Sequence, residues 1–381
     1  MRILKNSFIL AFFLLSFSTL LLAEKSVKTK KNYYKKEMKS QQIAIQKHFY
    51  DHASGYYFVE LEPSKRETKH GYFRNYTYLW SLCALYQATN EIEKIEPDTI
   101  LMVPMLANMH YYYDRALPKP GYSDYIMTLK PGERYYDDNQ WIGITSLDAY
   151  ARTKKKSYLT LGKSMYDFMM TAYDNVLGGG LYWVETSKGS KNTCSNGPGV
   201  LVALQMYQAT KQKSYLDTAL ILFNWTNKKL QAPSKLYYDN INTKTGNVDK
   251  VILSYNTGTM LQSNIYLYEI TRNKKYLKDA IEIADASLPY FYGGETFRDG
   301  YWFNAVMLRA YQHLLKYNKD KKYILGFKKC LDHALLNEKN EQGLFVGKNG
   351  VYNLVEQGGM LEILARFAWL EKHHYVNGKM S

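Results

Sequence analysis

Tyr150-Ala-Arg-Thr153 runs into three lysines, a serine and then Tyr158-Leu159, and the same phrase returns along the chain. Tyr207-Gln-Ala-Thr210 precedes Tyr215-Leu216, and Tyr268-Glu-Ile-Thr271 precedes Tyr276-Leu277. Tyr86-Gln-Ala-Thr89 opens in the same way, and Tyr311 with Tyr323 keeps a reduced form. The first tyrosines stand 64, 57, 61 and 43 residues apart, a spacing that suits two helices per unit and limits the chain to a repeat architecture. Each phrase reads as the end of one helix, a tight polar turn and the start of the next. Beyond the turns, Leu216, Ala219, Leu220 and Phe223 keep helical periodicity, as do Leu277, Ala280, Ile281 and Ala284.

The segments before the turns differ. Val200, Leu201, Ala203, Leu204 and Tyr207 are apolar on more than one face, the pattern of a helix enclosed by others. Six such inner helices are expected to begin near Arg74, Asp138, Asn196, Tyr255, Asp299 and Glu356. Six outer ones are expected near Lys35, Thr99, Ser157, Ser214, Lys274 and Lys321. The predicted fold is all-α: six helical hairpins closed into an (α/α)6 barrel, a toroid. An open solenoid of the same hairpins is the alternative. Short hairpins are expected only in loops, at Gly180–Val184 and Lys235–Tyr238.

Residues 1–23 read as a signal peptide. Arg2 and Lys5 precede an apolar run of 15 residues, Phe8–Leu22, and Ala23 offers a cleavage point. The run falls short of the roughly 20 residues a membrane helix needs. Residues 24–381 then form a single barrel domain, with 24–36 as a flexible basic arm, and the protein is expected to be exported to the periplasm, cell surface or medium. The formal net charge of +15 is spread over short lysine clusters, which read as solvated helix ends. No platform for nucleic acid is visible. Cys83, Cys194 and Cys330 are odd in number and far apart, so they are expected to be mostly free and buried, in a monomer.

Inner helices that all point one way bring their N-termini to one rim, and the loops entering them converge there. Asp137 and Asp138 stand at one such entry, in Tyr136-Asp137-Asp138-Asn139-Gln140-Trp141. Two adjacent carboxylates repel, which raises the proton affinity of one, while a helix N-terminus favours the ionised form of the other. One protonated and one ionised carboxyl is the pairing used in glycoside hydrolysis. Asp137 with Gln140 also fits a capping box, a purely structural role. Tyr182 and Trp183 after Gly178-Gly179-Gly180 read as a sugar-binding wall. Asn196 and Asn256 read as caps or hydroxyl binders, and Trp141 as core or stacking ring. Trp80 and Trp302 are expected in the core, and Glu356 is a further carboxylate on the rim. The 8 histidines form no metal-binding pattern, and no serine nucleophile elbow is present.

These blocks resemble glycoside hydrolase family 76, the α-1,6-mannanases. Tyr136 to Trp141 looks like the family signature. Gly179-Gly180-Leu181-Tyr182-Trp183, Lys191-Asn192-Thr193 with Asn196-Gly197-Pro198, and Tyr255-Asn256-Thr257-Gly258 are similar to its later blocks, in the same order. Ile142 and Thr257 depart from it, where tryptophan and glutamine are common. The resemblance implies an (α/α)6 barrel and retaining, endo-acting cleavage of α-1,6-mannan, without metal or organic cofactor. It makes Asp137 the nucleophile and Asp138 the acid/base. Tyr136, Asn139, Gln140, Trp141, Tyr182, Trp183, Asn196, Tyr255 and Asn256 are the expected substrate contacts. A transglycosylase, an enzyme for uronate-bearing oligosaccharides and a non-catalytic glycan-binding protein are the alternatives on the same barrel.

Overall fold

The computed structural model describes residues 32–61, 75–130 and 132–377. The expected signal peptide and most of the basic arm lie outside these residues. Within them the chain forms twelve α-helices. The inner set is α2 (Leu79–Ile95), α4 (Tyr136–Thr153), α6 (Thr193–Thr210), α8 (Ser254–Thr271), α10 (Tyr301–Leu314) and α12 (Leu354–Lys372). The outer set is α1 (Tyr33–Phe49), α3 (Met102–Met109), α5 (Lys156–Met169), α7 (Lys213–Leu230), α9 (Lys274–Tyr292) and α11 (Lys322–Asn337). Residues 33–36, expected in the arm, instead form the first turn of α1, whose Tyr33 and Tyr34 N–H groups reach the Glu371 carboxylate of α12.

Each inner helix packs on the next, and α12 packs back on α2. That last contact closes the ring and excludes the open solenoid. The fold is an (α/α)6 barrel. Nearly every residue of α6 and α8 up to its last turn is buried, whereas outer helices bury one stripe. Inner helices touch closely at glycine: a Cβ at Gly359 of α12 would stand 2.3 Å from the Trp302 backbone nitrogen of α10.

The repeated phrase has a local cause. Lys154, Lys211 and Arg272 each take a left-handed conformation, with φ of 59°, 62° and 59°, just after an inner helix. Their N–H groups return to the carbonyls of Tyr150, Tyr207 and Tyr268 at 2.8, 2.8 and 2.9 Å. The threonine hydroxyls of Thr153, Thr210 and Thr271 donate to the carbonyl four residues back and accept the N–H two residues on. Thus Tyr-x-x-Thr spells a stop and a turn. Tyr86 to Thr89 does not: Thr89 lies inside α2, which continues to Ile95.

Five short strands lie in the loops. β1 (Tyr113–Asp114) pairs with β2 (Gly121–Tyr122), and β3 (Ser190–Asn192), β4 (Tyr238–Asn242) and β5 (Val248–Ile252) form an antiparallel sheet. Gly180–Val184 makes isolated bridges to Tyr173 and Tyr135 in place of a strand, and Lys235–Tyr238 supplies one bridge and the first residue of β4. The sheet joins the entries to α6 and α8. Cys83, Cys194 and Cys330 are buried and unpaired. Among the described residues no helix is long and apolar enough to cross a membrane.

Gly359→Ala is expected to lower stability by about 1–3 kcal/mol, the range for overpacking, despite the better helix propensity of alanine. The midpoint of urea unfolding measures it. A midpoint at or above that of the parent protein would mean that α10 and α12 separate without cost.

Candidate active site

The inner-helix N-termini share one rim, and a solvent-open cleft of about 590 Å³ lies in it. Its wall takes Tyr78 and Trp80 from the start of α2, Tyr135, Asp137, Asp138 and Trp141 from α4, and Cys194 from α6. Tyr255 of α8 and Trp302 and Phe303 of α10 complete the ring, with Asp124, Trp183, Asp239 and Asn240 from the loops. Among the described residues no lysine or arginine lines it.

Asp137 and Asp138 are the second and third residues of α4. Neither stands at the N-cap position: that residue is Tyr135, without a side-chain bond, and Gln140 Nε2 turns to Met169 Sδ at 3.7 Å. The capping-box alternative fails on that geometry. Asp137 Oδ2 accepts the Trp183 indole N–H at 3.1 Å. Burial pushes the Asp137 carboxyl up to about 6, while the neighbouring Cys194 thiol, the Trp183 indole and the first N–H groups of the helix hold it down. Asp138 is raised well above the usual carboxylate range by burial and then by the charges of Asp137 and Asp124. The two neighbours are thus unequal: Asp137 is the one provided with donors.

Aromatic rings frame the pair. Tyr255 stacks on Phe303 at 4.2 Å, and Trp302 meets Trp80 and Trp141 edge-on at 5.6 and 5.4 Å. Trp302 Nε1 donates to Gln87 Oε1 at 2.7 Å, whereas the buried Trp141 indole N–H has no protein acceptor. The loop that leads to Trp183 is held by Lys191, whose ammonium lies 4.6 Å from the centre of the Tyr182 ring. That ammonium, fully buried, donates to Asp174 Oδ1 and to the carbonyls of Asp174, Val176 and Gly179 at 2.7–3.3 Å. It acts as an internal cation that folds the loop around Gly178–Gly180, where φ is 82°, 126° and 85°.

Of the residues singled out from sequence, Asp137, Asp138, Trp141, Trp183 and Tyr255 line the cleft together. Six others stand behind its wall. The Tyr136 hydroxyl meets Thr171 Oγ1 at 3.1 Å, and the Tyr182 hydroxyl donates to Asp174 at 2.7 Å. Gln140 is fully buried. Asn139 exchanges both backbone bonds of Tyr122, and Asn196 both of Leu181, at 2.7–3.0 Å. Asn256 donates to Asp239 Oδ1 at 3.0 Å, and so supports a cleft carboxylate without lining the cleft. Trp80, expected in the core, is 36% exposed in the cleft wall, because α2 begins at Leu79 and its first turn lies on the rim. Trp302 is buried and lines the cleft as well. Asp124 and Asp239 escaped notice in the sequence because they stand on loops without periodicity. Among the described residues no cluster of three or more His, Cys, Asp or Glu has the arrangement of a metal site.

Comparison with known proteins agrees with this geometry. The family model for glycosyl hydrolase family 76 matches residues 34–340. A mannan endo-1,6-alpha-mannosidase of Saccharomyces cerevisiae is 26% identical over 188 residues, 45% of this chain and 42% of that protein. The match thus spans less than half the length of this curated relative. A crystal structure of a family 76 glycoside hydrolase from a bovine Bacteroides thetaiotaomicron strain is 26% identical, with a TM-score of 0.79 over 90% of this chain and 78% of that one. A family 76 mannosidase from Bacteroides thetaiotaomicron is 25% identical, with a TM-score of 0.78 over 90% and 99%. With four-fifths of its length matched and the barrel shared, the chain belongs to glycosyl hydrolase family 76.

Proposed function

We propose that this protein is an exported, retaining, endo-acting glycoside hydrolase that cleaves α-1,6-mannosidic bonds in mannan. The observation that carries the reading is the adjacent carboxylate pair in an aromatic cleft, with one member supplied with donors and the other surrounded by negative charge. In this reading Asp137 is the nucleophile. Its carboxylate attacks the anomeric carbon while Asp138 gives its proton to the departing glycosidic oxygen, so one C–O bond forms as the other breaks. Asp138, now ionised, takes a proton from water, and the resulting hydroxide equivalent releases the sugar from Asp137. Positive charge develops on the sugar ring in both steps, and the acidic lining of the cleft favours it.

The names of the relatives support mannan as substrate. The lining disfavours uronate-bearing chains, since Asp124, Asp137 and Asp239 would repel them and, among the described residues, no lysine or arginine lines the cleft. A neutral polysaccharide fits this charge. The transglycosylase alternative shares the glycosyl-enzyme and differs in its acceptor, so product sizing separates the two: products longer than the input mark transfer.

Digestion of unbranched α-1,6-mannan tests the reading. Asp137→Asn and Asp138→Asn should each lower kcat by about 10²-fold or more, with the helical circular dichroism spectrum unchanged. Near-normal turnover by both variants would remove the assignment.

The pH profile gives a second test. Asp137 must be ionised, so kcat/KM should fall as the pH drops below about 6. Asp138 must keep its proton, so activity should fall again on the alkaline side, the two limbs belonging to the pair. Asp124→Asn removes one of the charges that raise Asp138. The Asp138 proton then leaves more easily, and the alkaline limb should move to lower pH. A limb that stays in place, or moves upward, contradicts the electrostatic role given to Asp124.

A further inference from the structure

The cleft does not end at its aromatic wall. A second cavity of about 310 Å³ shares Trp80, Trp302 and Phe303 with it, so the two are halves of one trough with a ring-lined waist. The outer half has a different chemistry. Its lining includes Glu356, Lys348, Asn349 and Asn353, and among the described residues Lys348 is the one lysine or arginine that lines either half.

The outer half is built by several independent devices. Glu356 Oε2 accepts the Tyr301 N–H at 2.5 Å, which fixes the carboxylate at the start of α10. A Cβ at Gly300 would stand 2.3 Å from Glu356 Oε1, and one at Gly347 would stand 3.0 Å from Glu356 Cγ. Two loops therefore leave out a side chain where this carboxylate lies. The loop that bears Lys348 is tied down at Phe345, whose N–H and carbonyl both bond the Gln357 amide at 2.9 and 2.7 Å. Asn349 and Asn353 spend their oxygens on the N–H groups of Val351 and Glu356, which leaves their amide nitrogens as donors. Burial raises Glu356 to about 7.

A ring platform with one carboxylate acceptor, one ammonium and amide donors suits a pyranose. Its apolar C–H face lies on a ring and its hydroxyls use donors and acceptors alike. With Glu356 ionised its charge cancels that of Lys348, and the pair then suits an uncharged ligand.

We propose that the cavity beyond the Trp80–Phe303 pair is a second binding subsite for one uncharged hexose unit of the substrate, with Glu356 and Lys348 as its hydroxyl partners. The proposal rests on the saccharide reading above. The hexose is either a further unit of the linear backbone or a branch, and both present the same chemistry.

The test compares linear α-1,6-mannooligosaccharides of increasing length with the same set carrying one mannosyl branch. For each, kcat/KM and the Kd from tryptophan fluorescence are measured on the parent protein, Lys348→Ala and Glu356→Gln. Lys348 is exposed, so its variant retains the fold even if loss of the Glu356 helix contact does not. The expected result is a step in affinity in the parent protein at one length, or on branching, that shrinks about two- to tenfold in each variant, the range of one hydrogen bond. A step with length assigns the backbone, and a step on branching assigns the branch. The absence of any step, or a full step in Lys348→Ala, overturns the proposal. Because Kd is read without turnover, a step in binding without cleavage removes the catalytic reading alone.

Discussion

The fourth residue of an inner helix, reaching back to hold one residue of a neighbouring loop, is the interaction on which the site depends. Asn139 of α4 takes both the N–H and the carbonyl of Tyr122, and Asn196 of α6 does the same to Leu181. Gln357 of α12 does it to Phe345, and in α8 the Thr257 hydroxyl accepts the Tyr237 N–H at 3.3 Å. A primary amide carries one donor end and one acceptor end, which matches an unpaired peptide in a buried loop. In extended chain, residues two apart face the same side. Two residues beyond Tyr122 stands Asp124, two beyond Leu181 stands Trp183, and two beyond Tyr237 stands Asp239, each in the cleft wall. The clamps thus place the loop side chains that surround the carboxylate pair.

That geometry explains what was legible in the sequence and what was not. The ring could be read because its signal is repeated: the Tyr-x-x-Thr stop recurs after α4, α6 and α8, and the helix starts fall within a few residues of the expected positions. The carboxylate pair could be read because its chemistry lies in two consecutive residues. Asn139 and Asn196 drew attention for the right reason, since they stand at the rim, yet their side chains turn to the loops. Residue type and a helix start do not say which way an amide points. Asp124 and Asp239 carry no motif of their own. The offset of two from a clamped residue would have located them, but the clamped residue is known only from the fold.

Charge is sorted along the barrel axis by the same parallel arrangement. At the far mouth, where the inner helices end, Arg309 pairs with Asp148, Arg366 with Glu362 and Glu91, and His313 with Glu269. Cations near helix C-termini are favoured by the helix dipole. Their carboxylate partners leave few charges uncompensated at that end, and the helix ends are cross-tied. The N-terminal rim holds the reverse: four aspartates line its cleft, and among the described residues no lysine or arginine does.

The helix dipole alone would favour ionisation of both Asp137 and Asp138, because each lies in the first turn of α4. A cleft with both carboxylates ionised would have no acid. Burial opposes the dipole and raises both, so the distinction has to come from what each carboxyl meets next. Asp137 meets the Trp183 indole, placed by the Asn196 clamp on a loop that Lys191 ties down. Asp138 meets the charges of Asp137 and of Asp124, the latter placed by the Asn139 clamp. The difference in proton affinity between adjacent identical side chains is thus set by two loops, each held by the fourth residue of a different inner helix.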